Sequence, residues 1–254
     1  MRVRRTTGLV TLAVLASGAT ARGADRPPLP FAVGERLSYK VDASGIGGRG
    51  TMSVDGPVDV RGTETYLLRF DVKAGVGPIK GKNLTESWLD PNRMAALRFR
   101  AVERRPFSKH EVEVELYPEE RRWETEKGKS GDSPTDAPLD ELSFIYFVRS
   151  LPLDTDSAYT FNRFYDPQRN PTTVRVISRD SLATAAGQFN TVLVEMRVRD
   201  PERYQGEGTL RFYLSDDACR IPVRIESAMP NVGLVTFSLE SFEHPSGSCA
   251  AEGK

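Results

Sequence analysis

"HEVEVEL", His110 to Leu116, sets Val112, Val114 and Leu116 on one side and Glu111, Glu113 and Glu115 on the other. Successive side chains of a β-strand point to opposite faces, so this stretch reads as a strand with one dry and one wet face. The same alternation recurs in "TVLVEMRVR" (Val192, Val194, Met196, Val198), "TLRFYL" (Leu210, Phe212, Leu214) and "RIPVRIE" (Ile221, Val223, Ile225). One-sided burial of this kind is the signature of antiparallel sheet.

Turn signals separate such runs at short intervals: Gly45-Ile46-Gly47-Gly48, Asp55-Gly56-Pro57, Asp90-Pro91-Asn92, Gly206-Glu207-Gly208 and Met229-Pro230-Asn231. Roughly a dozen strands are expected between Glu35 and Phe242. The pattern predicts an all-β chain, a single antiparallel, strongly curved sheet or incomplete β-barrel. No repeat of 20–50 residues recurs, which argues against a propeller or solenoid.

One segment departs from the alternation. Lys127 to Pro138 reads as a polar loop, and "LDELSFIYFVRSL" then follows helical spacing through Leu142, Ile145, Tyr146 and Arg149 and through Phe144, Phe147, Val148 and Leu151. The expectation is one covering helix over about residues 139–151, capped by Asp140 and ended by Pro152. Apolar nearly all round, it is expected to lie buried against the open side of the sheet. The alternative is a mobile lid or a membrane-touching segment.

The chain has 254 residues, with 35 basic and 35 acidic side chains. That balance offers no basic field for nucleic acid. Arg2, Arg4 and Arg5, the apolar run Gly8 to Ala16 and the small residues ending at Ala21 have the layout of a secretory signal peptide. The organisation expected is therefore a signal peptide (1–21), a flexible linker (22–30), a single β-rich domain (31–243) and a C-terminal tail (244–254). No cysteine near the cleavage site supports a lipid anchor, and no later stretch is long or apolar enough to span a bilayer. A periplasmic or secreted location follows.

Candidate chemistry is sparse. "GIGGRG", Gly45 to Gly50, leads into strand-like residues and not into a helix, so it reads as a hairpin connection and not a phosphate loop. The chain has only two histidines, His110 and His244, and Asp154 to Asp156 lacks the glycine and terminal glutamate of a calcium loop, so no metal or cofactor is assigned. Trp88 and Trp123 are both expected in core or cavity packing.

"YLSDDACRIPVRIES", Tyr213 to Ser227, holds the densest set of reactive groups. Asp216 and Asp217 fall between two alternating runs, where such residues favour a turn. A hairpin about Met229-Pro230-Asn231, with paired numbers summing to about 462, brings His244 beside Cys219. That pair is the minimum for a thiol-dependent hydrolase, with Asp216 or Asp217 orienting the imidazole. The same geometry brings in Cys249, the only other cysteine, and in an oxidising compartment the favoured outcome is a Cys219–Cys249 disulfide. No catalytic residue is assigned.

Five stretches resemble the bacterial exported family DUF3108, a domain of unknown function: "FAVGERLSYKV" (Phe31 to Val41), "ESWLDPNRMAALRFR" (Glu86 to Arg100), "FIYFVRSLPL" (Phe144 to Leu153), "TAAGQFNTVLVE" (Thr184 to Glu195) and "YLSDDACRIPVRIES". The resemblance implies a periplasmic or cell-envelope protein of mostly β fold and carries no established activity. A residue other than cysteine is expected at position 219 in most members, which makes the disulfide particular to this chain or a subgroup. The expected function is non-enzymatic binding of a lipid or other apolar ligand within the curved sheet. The alternative is a structural or protein-interaction module of the envelope.

Overall fold

A computed structural model describes residues 28–249 except 77–78, 231–232 and 248. The expected signal peptide and most of the linker lie outside the described residues. In chain order the elements are β1 (Arg36–Ala43), β2 (Ile46–Val60), β3 (Thr63–Val76), β4 (Ile79–Asp90), β5 (Ala95–Arg105), β6 (Ser108–Tyr117), β7 (Arg122–Thr125) and β8 (Ser130–Asp132). Then come α1 (Glu141–Arg149), β9 (Ala158–Phe161), β10 (Thr172–Thr184), β11 (Gly187–Asp200), α2 (Pro201–Tyr204), β12 (Gly206–Ser215), β13 (Pro222–Met229) and β14 (Gly233–Glu243).

All the strands form one antiparallel sheet in the order β8-β7-β6-β5-β4-β3-β2-β1-β14-β13-β12-β11-β10-β9. The first eight strands meander one way and the last six the other. They meet where β1 pairs with β14, Leu37 opposite Phe242 and Val41 opposite Phe237. The sheet is not closed into a barrel. Its edges are the short β8 and β9, and the chain beside each edge meets in one parallel bridge, Leu139 with Phe164. Short edge strands limit the unpaired backbone open to edge-to-edge association.

The alternation seen in the sequence sorts the faces as expected. Val114, Leu116, Val192, Val194, Met196, Phe212, Leu214, Val223 and Ile225 are buried in one core with Leu37, Tyr39, Met52, Leu68 and Leu89. Over this inner face lies α1, as the helical spacing predicts. Asp140 is its N-cap, accepting from the Leu142 and Ser143 amides, while Ser143 Oγ takes the Asp140 amide in return, a capping box. Every residue from Leu142 to Arg149 is buried, so the helix is packed all round.

Several local expectations need correction. Asp55-Gly56-Pro57 is not a turn but a bulge inside β2, where the register with β3 shifts between Asp55 and Val58. Proline lacks the amide a continuous ladder would need, so the chain bulges past it. Likewise Gly206-Glu207-Gly208 begins β12, and a Cβ at Gly208 would lie 2.3 Å from the Tyr204 ring. The glycine there admits α2 against the sheet. The polar stretch 127–138 contains a strand, β8. The expected linker's last residues also join the domain: Leu29 packs on the core, and the Pro30 carbonyl accepts from Arg149.

Candidate functional site

The stretch that concentrated the candidate chemistry lies at one end of the sheet, in the turn between β12 and β13. Here Asp217 is a turn-former: its Oδ1 accepts from Ser215 Oγ and from the Cys219 and Arg220 amides at 2.8, 2.8 and 3.0 Å. Asp216 points elsewhere and bridges Arg179 and Arg220 at 3.0 and 2.9 Å. Neither carboxylate contacts an imidazole among the described hydrogen bonds; the acid beside His244 is Glu35, whose Oε2 lies 3.5 Å from Nε2. Pro222 falls at the register shift between β12 and β13, where its missing amide is tolerated.

The hairpin register is the one expected, Arg224 opposite Ser238 and Ile225 opposite Phe237, and it brings His244 Nδ1 to 3.9 Å from Cys219 Sγ. Cys219 and Cys249 form a disulfide with Cα atoms 5.6 Å apart. A nucleophilic mechanism needs a thiolate, and so does a soft metal, so although Cys219, His244 and Cys249 lie within 4.8 Å of one another the bonded sulfurs serve neither. His244 is held by Ser246 Oγ at 2.7 Å on Nδ1 and faces the Pro30 carbonyl at 3.3 Å with Nε2.

Behind this turn lies a buried ion pair that the sequence reading did not single out. The Arg149 guanidinium, at the end of α1, meets Glu35 in a two-pronged contact at 2.8 and 2.6 Å, with both side chains fully buried. Its Nη2 also donates to the carbonyls of Pro30 and Cys219, each at 3.0 Å. The rings of Phe31 and Tyr146 flank it at 5.4 and 5.1 Å. One cation thus fastens the entry to β1, the end of the helix and the β12–β13 turn. Its sequence signal was a lone arginine in an apolar helix; nothing marked Glu35 as its partner.

The wet face of β1–β6 carries the other concentration of charge. Arg36, Ser53, Arg69, Glu86, Arg100 and Glu113 stand opposite one another in a row crossing six strands. Glu86, nearly buried, accepts from Arg69 at 2.8 Å and Arg100 at 3.0 Å. Arg100 also reaches Glu111 at 2.5 Å, and Lys109 pairs with the same carboxylate. Hydrogen bonds from Lys109 and Arg100 hold Glu111 down at about 2. Two open clefts of about 530 Å³ each meet at Arg69 and Glu86 on this face. Trp88 lines one of them, half-buried with the Arg98 guanidinium 5.5 Å from its ring, whereas Trp123 packs in the core. Of the expected core or cavity packing, Trp123 takes the core and Trp88 the wall of an open cleft.

No helix among the described residues is long and apolar enough to cross a membrane. No protein of curated function matches the sequence. Among solved structures, a beta-barrel-like protein of the domain of unknown function DUF1849 from Brucella abortus aligns with a TM-score of 0.55 at 13% identity, over 84% of this chain and 98% of that one. That likeness shows a shared fold. A protein of YmcC-like fold from Bacteroides fragilis aligns over 85% of this chain and 98% of that one at 14% identity, with a TM-score of 0.35, too low to bear on the fold. The family model for a protein of unknown function, DUF3108, matches residues 37–240, and the chain belongs to that family.

Proposed function

We propose that this chain is an exported, non-catalytic protein of the cell envelope that acts through its polar sheet surface. The observation that carries this reading is the contrast between the two faces. The inner face is occupied by α1 and by fully buried Phe31, Tyr39, Phe144, Tyr146, Phe189 and Phe212. The clefts of the outer face are open and lined by Arg69, Glu86, Arg98, Arg100, Glu111 and Glu113. Ligand sites for apolar molecules are concave and apolar, whereas both clefts are lined mainly by charged and polar side chains. An apolar ligand enclosed by the sheet is therefore the weaker reading, and a contact module the stronger.

Export is supported by the signal-like N-terminus, Met1 to Ala21, and by the disulfide, which belongs in an oxidising compartment. Native mass spectrometry of the protein taken directly from cells tests the proposal. The bare chain lacking residues 1–21 and two hydrogens is expected. A retained apolar molecule would restore the enclosed-ligand reading, and labelling of the native protein by a thiol probe would reopen catalysis.

A further inference from the structure

The two ends of the sheet differ in what they expose. Four large apolar side chains are exposed among the described residues: Ile46, Phe107, Ile177 and Leu234. Three of them sit at the same end. Ile46 opens β2 just after the β1–β2 turn, Phe107 lies in the β5–β6 turn, and Leu234 is the second residue of β14, beside the end of β1, where Ala43 pairs with Val235. Phe107 is fully exposed, with no neighbour covering its ring.

The same end carries a row of unlike character from the balanced one beside the clefts. Lys40, Arg49, Lys73, Lys82, Arg104 and Lys109 face one another in register across six adjacent strands. At a strand spacing of about 4.8 Å the row runs for roughly 24 Å. Like charges directly opposite on neighbouring strands destabilise a sheet. Only Lys82 and Lys109 have acidic partners among the described ion pairs, Asp71 and Glu111. The remaining four form a band of positive charge that the fold itself does not neutralise.

We propose that this end of the sheet docks on an anionic lipid bilayer, with Phe107, Ile46 and Leu234 entering the headgroup region and the six-residue basic row lying over the lipid phosphates. This rests on the reading of the chain as an exported surface module and names its partner. Charge complementarity points to a polyanion. The exposed apolar tips beyond the basic row point to a bilayer and not to a soluble polymer or an acidic protein, since interfacial binding combines buried apolar area with attraction to anionic lipid. Each lysine or arginine near such a surface strengthens binding about five-fold.

The test is co-sedimentation of the full-length gene product, purified from cells, with vesicles of phosphatidylglycerol and phosphatidylethanolamine, against vesicles of phosphatidylcholine alone. Binding to the first and not the second is expected, with loss in high salt. Lys73→Gln with Arg104→Gln is expected to weaken it roughly 10- to 30-fold. Arg93→Gln with Arg121→Gln, in the β4–β5 and β6–β7 turns, removes equal charge from the opposite end and is expected to leave it unchanged. Phe107→Ser is expected to weaken it several-fold without altering the circular dichroism spectrum. All variants share one N-terminus, so any contribution of that segment cancels. Absence of binding, or equal loss from both charge pairs, overturns the docking. Binding that survives Phe107→Ser assigns the row to another polyanion and overturns the bilayer. None of these outcomes touches the contact-module reading, which fails only on a retained apolar molecule or a reactive thiol.

Discussion

One end of this sheet is sealed and the other is bare. At the sealed end the β12–β13 turn, the start of β1, the residues after β14 and the end of α1 are joined by the Arg149–Glu35 pair and the Cys219–Cys249 disulfide. At the bare end the hairpin turns carry Phe107 and Ile46 in the open and a row of cations behind them. The lesson is a division of labour. The polar groups that looked catalytic hold the structure together, and the residues that looked unremarkable face outward where a partner can reach them.

The comparison breaks first if the sealed end is not what holds the fold. Arg149→Met leaves Glu35 buried without its partner, and removal of one member of a buried pair costs about 3–5 kcal/mol. Urea denaturation should show that loss with little change in slope. If stability hardly changes, the ion pair is ornament and the sealed end has another fastener. Next in size is Cys219→Ser with Cys249→Ser, expected to cost roughly 3–4 kcal/mol through the closed loop of the unfolded chain. A matching fall in melting temperature on reduction of the parent protein, absent in the double variant, checks it.

A smaller effect concerns pH. Burial pushes the Asp140 carboxyl up to about 7, against hydrogen bonds from Ser87 and the helix amides that favour its ionised form. A folded-state value above the unfolded one means the folded protein holds the extra proton. The stabilisation is complete below the unfolded value, near 4, and is lost as pH rises to about 7. The parent should therefore lose stability across that window, while Asp140→Asn, which can still accept from the cap amides, should show a flatter profile in denaturant titrations. The smallest effect belongs to the bare end. Phe107→Ser should change stability by no more than about 0.5 kcal/mol, because the ring contacts nothing it would leave empty. A large loss in thermal unfolding would mean that the tip is packed and not presented.

Much of the architecture was legible in period-two alternation. Val112, Val114 and Leu116 went inward, and Asp140 capped the one helix, because both signals are local. Residues 55–57 misled, since glycine and proline mark a bulge as readily as a turn and only the partner strand decides. The disulfide partners could be brought together by counting a hairpin register, with Arg224 opposite Ser238. Glu35 and Arg149 could not, because 114 positions separate them and only the assembled fold brings them together. The basic row was hidden for a related reason. Its members are ordinary surface residues until five successive registers align them, and a slip of one residue in any pairing would scatter them over both faces.

The seam at the middle of the sheet has a consequence in time. Most strands pair with a neighbour that has just been made, but the other side of β1 waits for β14, and Leu37, already opposite Met52, finds its second partner only at Phe242. Closing so long a loop is slow compared with forming hairpins. A chain being threaded through a membrane from its N-terminus has no β14 to offer until nearly all of it has crossed. On the proposed export route the last strand to arrive completes the first, so the central pairing of the sheet forms only on the far side.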